Sequence, residues 1–183
     1  MEDHPAQSNW KEQPNWKELT AEIGAITGAW ANLEHNLALL LAVILNVEIP
    51  FGMSILASVS GFKVRRDLIL NAARLAFYPT RIKEVERIVR RVARAASKRN
   101  SLAHGVLTSH PEHPDRLLVM EVSPELRPAL MYYQLYRLAD LKAVTAQIDA
   151  VSHDAFGLAT KLRKARRQTL HGTPRRRVRR RKV

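Results

Sequence analysis

The sequence of 183 residues contains no cysteine. This removes disulfides, thiolate zinc ligands and thiol nucleophiles from consideration. The local signatures of nucleotide and hydrolase chemistry are missing too: there is no Walker A loop, no GxGxxG turn, no HExxH helix and no GxSxG elbow. No apolar run is long. The richest stretch, LALLLAVILNV over Leu37–Val47, is about half of what a membrane-spanning helix requires, so no membrane is expected as a partner. The opening MEDHPAQSNWKEQPNW is polar and carries acids, unlike a secretory or transit leader. A soluble, cytoplasmic protein is the expectation, and no internal repeat is present.

Acid is missing most selectively. Residues 161–183 hold 12 Lys/Arg and no Asp/Glu, while residues 1–160 hold 18 Lys/Arg against 17 Asp/Glu. The formal charge of +13 therefore belongs to the C-terminal end. Within the nearly neutral body, residues 81–99 carry 8 basic and 2 acidic residues. Concentrations of this kind attract a phosphate backbone. Residues expected to do so are Arg91, Arg94 and Lys98 in the body and Arg175, Arg176, Arg177, Arg179, Arg180 and Arg181 in TPRRRVRRRKV. The tail has no aromatic residue, so it offers charge without base stacking or sequence readout. Its plain alternative is a solvated segment that raises solubility. Composition divides the chain into a disordered segment 1–15, a folded domain 16–167 and a disordered basic tail 168–183.

The folded part reads as all-α, an antiparallel bundle of four main helices with a small hairpin before the last. Ile23, Ile26, Trp30, Leu33, Leu37, Leu40, Leu41 and Ile44 recur at steps of three and four, which predicts a helix over about 17–46. Pro50 closes that region, and a short helix follows near 53–58. Residues 62–77 form a further helix, stopped by Pro79. Thr80 suits the N-cap of the next, whose stripe is Ile82, Val85, Val89, Val92 and Ala96. Gly105 is a natural stop. SHPEHPD at 109–115 reads as a solvated loop, with no metal site expected from His110 and His113. RLLVMEV and ALMYYQLYR read as the hairpin. Leu141, Val144, Ile148, Val151, Ala155, Leu158 and Leu162 give the cleanest helical series, starting near Asp140.

The string Arg99-Asn100-Ser101-Leu102-Ala103-His104-Gly105 stands out. Continuing the stripe by threes and fours places Arg99 in it, followed by Ala103 and Val106. A buried guanidinium needs acceptors. Asn100 and His104 are four apart and share a face, flanked by Ser97 and Ser101. On the first helix, Glu34 occupies a seam position, and a Glu34–Arg99 contact would satisfy both groups. The competing reading puts Glu34 at the edge of the stripe, reaching water. Arg and His before a glycine are also ordinary at a helix C-terminus, where cations favour the dipole and Gly takes a left-handed cap.

RNSLAHG resembles the R-x(4–6)-H motif of the HEPN domain family, in which a polar residue, commonly Asn, follows the arginine. AWANLEHNLALLLAVIL, SVSGFKVRRDLIL and LADLKAVTAQI are similar to the first, second and last helices of a bacterial and phage-type HEPN-like group. The resemblance covers roughly residues 20–165. It implies a HEPN-like bundle of four to five helices and a metal-independent, cofactor-free endoribonuclease of toxin or defence type. Arg99, Asn100 and His104 would be catalytic, Glu34 and Ser101 supporting, RNA the partner and a symmetric homodimer the assembly. The rival reading is a non-catalytic nucleic-acid-binding or scaffolding module. A third is an accessory role beside an antitoxin partner.

Overall fold

Apolar residues at steps of three and four build the central packing surface. The computed structural model describes residues 15–110, 112–121 and 132–171. In it helix α1 spans Trp16–Leu45 and buries Leu19, Ile26, Trp30, Leu33, Leu37, Leu40, Leu41 and Ile44. It ends where Asn46 turns left-handed, with φ 58°, and its N–H closes on the Ala42 and Val43 carbonyls. Asn tolerates that conformation better than most side chains. Helices α2 (Ile49–Ala57), α3 (Phe62–Ala76), α4 (Pro79–His104) and α5 (Leu138–His171) follow. Strands β1 (Val106–His110), β2 (His113–Glu121) and β3 (Tyr132–Arg137) lie between α4 and α5. All seven residues of the stripe read for the last helix, Leu141 to Leu162, are buried.

Polar contacts fix the direction of the helices. Thr145 donates to Glu22 at 2.5 Å, Asn36 to Ser152 Oγ at 2.8 Å and Arg166 to the Val43 carbonyl at 2.6 Å. These pairs climb both helices together, so α1 and α5 run parallel. Lys161–Glu84 and Arg91–Asp154 run in opposite senses, so α4 is antiparallel to α5. The expected antiparallel bundle thus holds for α4 and α5 but not for α1 and α5. The short α2 adds a turn of the chain, which leaves the first and last helices pointing the same way. By length and composition α1 could cross a membrane, although half of that window is buried within the protein. It packs on α2, α3, α4 and α5.

Three local expectations change. Pro50 lies in the first turn of α2 instead of closing α1. Pro79 opens α4, with Tyr78 as N-cap and no side-chain cap from Thr80. Proline suits that position because the N–H it lacks would have no partner there and its φ is already helical. The hairpin is a three-stranded antiparallel sheet in the order β1-β2-β3. Residues that follow the expected helix stop at Gly105, the last two of them read as loop, supply β1, and Leu117 and Val119 of β2 face the core. Asp140 lies in the first turn of α5, as expected, and accepts from the Arg137 N–H at 2.9 Å. The expected N-terminal segment 1–15 falls almost wholly outside the described residues. The expected tail 168–183 begins four residues too early, since α5 continues to His171; the rest of it lies outside the described residues.

Glu84 bridges α4 to α5. Lys161 donates to it at 2.8 Å and Arg81 at 2.8 Å. The Lys161 ammonium first, and then Arg81, hold its carboxyl below the usual 4.5. A depressed carboxylate stabilises the fold above the ordinary range and loses that contribution as the pH falls through its folded value. Glu84→Gln should therefore cost a few tenths to about 1 kcal/mol at neutral pH and nothing in acid, as read by urea unfolding. An equal loss at both pH values would contradict the ionic origin.

Candidate functional site at the end of α4

Helix α4 is two-faced because its charges and its aliphatics follow different thirds of the turn. Val85, Ile88, Val89, Val92, Ala95, Ala96 and Leu102 are buried. Arg87, Arg90, Arg94 and Lys98 are exposed and make no ion pair with a described residue. At about 100° per residue they share one side of the helix. Arg91 is different. It is paired with Asp154 of α5, so its charge helps join the two helices. Of the body residues read as phosphate-binding, Arg94 and Lys98 remain open.

Arg99 does lie in the apolar stripe, half-buried. The stripe continues to Leu102, whereas Ala103 and Val106, the positions expected to carry it on, are exposed. The Arg99 guanidinium carbon is 5.6 Å from the centroid of the Trp30 ring on α1, a cation–π distance. One terminal nitrogen donates to Asn100 Oδ1 at 3.2 Å. Its Nε is buried and has no hydrogen-bond partner among the described residues. No carboxylate of the described residues pairs with it.

The expected Glu34–Arg99 contact is not made. Glu34 instead binds Arg65 of α3 at 2.5 Å, and Arg65 also donates through Nε to the Val59 carbonyl at 2.8 Å. Trp30, one turn before Glu34, is the α1 residue that meets Arg99. Glu34 thus supports the α1–α3 packing and does not neutralise the guanidinium on α4.

His104 ends α4 and is exposed, as is Asn100. Ser101 is half-buried, and its carbonyl accepts the Gly105 N–H at 2.9 Å. His104 is five steps along the helix from Arg99, which is about 140° of rotation. The two therefore look in different directions from one chain, while Asn100 and His104 share a side. Gly105 is extended (φ −72°, ψ 153°) and not left-handed. Its small size serves a close approach. A Cβ there would stand 2.6 Å from the Ser101 carbonyl oxygen and 2.6 Å from Val119 Cγ1. The strand β1 is thereby held tightly against both the last turn of α4 and β2.

Two further features lie away from the end of α4, the second of them in the stretch read above as a solvated loop with no metal site expected. A groove of about 520 Å³ lies between the α1–α2 turn and α5, bordered by Phe156, Arg163 and Arg167. Arg166, also on its wall, is committed to the Val43 and Ile44 carbonyls at the end of α1. The second is the turn between β1 and β2, where His110, Glu112 and His113 converge. Arg175, Arg176, Arg177, Arg179, Arg180 and Arg181 lie outside the described residues.

Comparison with family models, curated proteins and solved structures finds no match for this chain. The site has to be judged on its own geometry.

That geometry predicts that Gly105→Ala is destabilising. The new methyl meets backbone and a buried strand, so a loss on the order of 1–3 kcal/mol is expected, together with displacement of the His104 resonances. Unchanged thermal stability would show that β1 can shift freely against α4.

Proposed function

We propose that the chain is a metal-independent endoribonuclease of HEPN type, toxin-like or defence-associated, acting in the cytoplasm as a homodimer. The observation that carries this reading is Arg99. Its guanidinium is held on Trp30 at 5.6 Å beside Asn100, with no described carboxylate to neutralise it, on the helix that ends in an exposed histidine. Arginine in that state can grip the non-bridging oxygens of a phosphodiester and stabilise the charge that builds on the phosphorane. His104 takes the proton of a ribose 2′-OH, whose oxygen bonds to phosphorus as the bond to the 5′-oxygen breaks. That oxygen leaves with a proton from a second acid. The open cations Arg94 and Lys98 draw the strand in, and an antitoxin that covers them would be a natural inhibitor.

One chain offers a single histidine here, and Arg99 faces away from it. A two-fold axis supplies the second acid or base with no added sequence. An apolar row begins two residues after His104: Val106, Met120 and Tyr133 are in cross-strand register, with Val106 53% and Tyr133 58% exposed. This suits burial against a second copy. The divergence of Arg99 and His104 favours the second reading, a nucleic-acid-binding or scaffolding module in which Arg99 only packs.

Cleavage of mixed cellular RNA in EDTA separates the two. The intact protein should cut, and His104→Ala should lower the rate by about 10²-fold or more with the helical fold retained, because the side chain is exposed. Arg94→Glu with Lys98→Glu should weaken RNA binding and flatten its dependence on log salt by about two units of slope. RNA left whole by the unmutated dimer, with binding still dependent on Arg94 and Lys98, would establish the module instead.

A further inference from the structure

The turn between β1 and β2 has a chemistry unconnected with phosphate. Strand β1 ends at His110 and β2 starts at His113. The two histidines are register partners, and the register shifts between Ser109 and His110. That irregularity brings the imidazoles together: their centroids are 5.0 Å apart and the rings are inclined by 30°. Both are half-buried, and Glu112 is exposed between them. One ligand atom from each of the three lies within 4.8 Å of the others.

We propose that His110, Glu112 and His113 bind one divalent transition-metal ion of the zinc class. The donor set decides the class. Imidazole suits zinc, copper, nickel and iron, whereas magnesium and calcium prefer all-oxygen sites. Two histidines and one carboxylate fill three positions of a tetrahedron and leave the fourth to water. Ligands about 2.0–2.1 Å from zinc lie roughly 3.3 Å apart in a tetrahedron, so the donors close by about 1.5 Å on binding. Rotation about the side-chain torsions of His110, Glu112 and His113 supplies a closure of that size. The Glu112 backbone N–H donates to His110 Nδ1 at 3.2 Å, and an ion bound at Nδ1 takes over this lone pair. Bound metal pins β1 to β2 at the end remote from Gly105. Because β1 has five residues, it thereby restrains the strand that follows His104. The ion takes no part in the EDTA-resistant cleavage proposed above.

The test uses the full chain without an affinity tag, stripped with chelator and titrated with Co²⁺ and then Zn²⁺. One equivalent of Co²⁺ should give visible d–d absorption, and Zn²⁺ should displace it. His110→Ala and His113→Ala should each weaken binding at least about tenfold, since loss of even an outer partner costs 10–100-fold. Glu112→Ala, at an exposed position that the fold does not need, should weaken it as well. Circular dichroism checks that each variant is folded, and RNA cleavage in EDTA should be the same for all of them. Absence of the absorption overturns the site. So does absorption that persists in the folded His110→Ala/His113→Ala variant, because the ion is then held by others of the seven histidines.

Discussion

A guanidinium set into an apolar stripe is the constraint around which the end of α4 is organised. Between Ala96 and Leu102, both buried, the helix must turn Arg99 toward α1. Water cannot fully solvate it there, and a buried Nε without an acceptor weakens the fold. What makes the position tenable is the face of Trp30, itself 6% exposed, whose ring is attractive to a cation. The alternative partner, Glu34, is drawn aside by Arg65. The result is a positive group that is held in place with no carboxylate partner among the described residues, the condition on which the proposed phosphate grip depends.

The rest of the fold keeps that arrangement in register. The Asn36–Ser152 and Glu22–Thr145 bonds fix the slide of α5 along α1, because each satisfies polar groups at a largely apolar seam. Arg166 closes the C-terminal carbonyls of α1. On the far side Glu84 and Asp154 tie α4 to α5. Helix α4 is therefore clamped between elements whose own relative position is set elsewhere. The tight contact at Gly105 then passes its orientation on to the sheet.

Much of this was legible in the residues. The stripe from Leu141 to Leu162 obeys one period over its whole length, and every member is buried. In α1 the same periodicity dictates which side faces inward, and every member of its stripe but the half-buried Ile23 is buried. The strand β1 was not legible. Val106–His110 is five residues long and directly follows a helix, too short for alternation to show. Helix direction was hidden for another reason: periodicity says which face is buried but not against what. The partner of Arg99 failed by a single turn of α1, since Trp30 and Glu34 lie on the same side and only packing with α3 decides between them. His110 and His113 read as part of a solvated loop because their spacing becomes a cross-strand pair only when the register slips at Ser109.

The proposed activity requires the Arg99 guanidinium to be a phosphate ligand and not merely a packed cation. The most direct measurement follows its side-chain NMR resonances while an oligoribonucleotide carrying 2′-deoxy substitutions, which binds without being cut, is added. The account predicts that the Arg99 signals move and saturate together with those of Arg94 and Lys98. If Arg94 and Lys98 respond while Arg99 keeps its shifts against Trp30, the end of α4 binds RNA through its surface charge alone, and the catalytic reading is wrong.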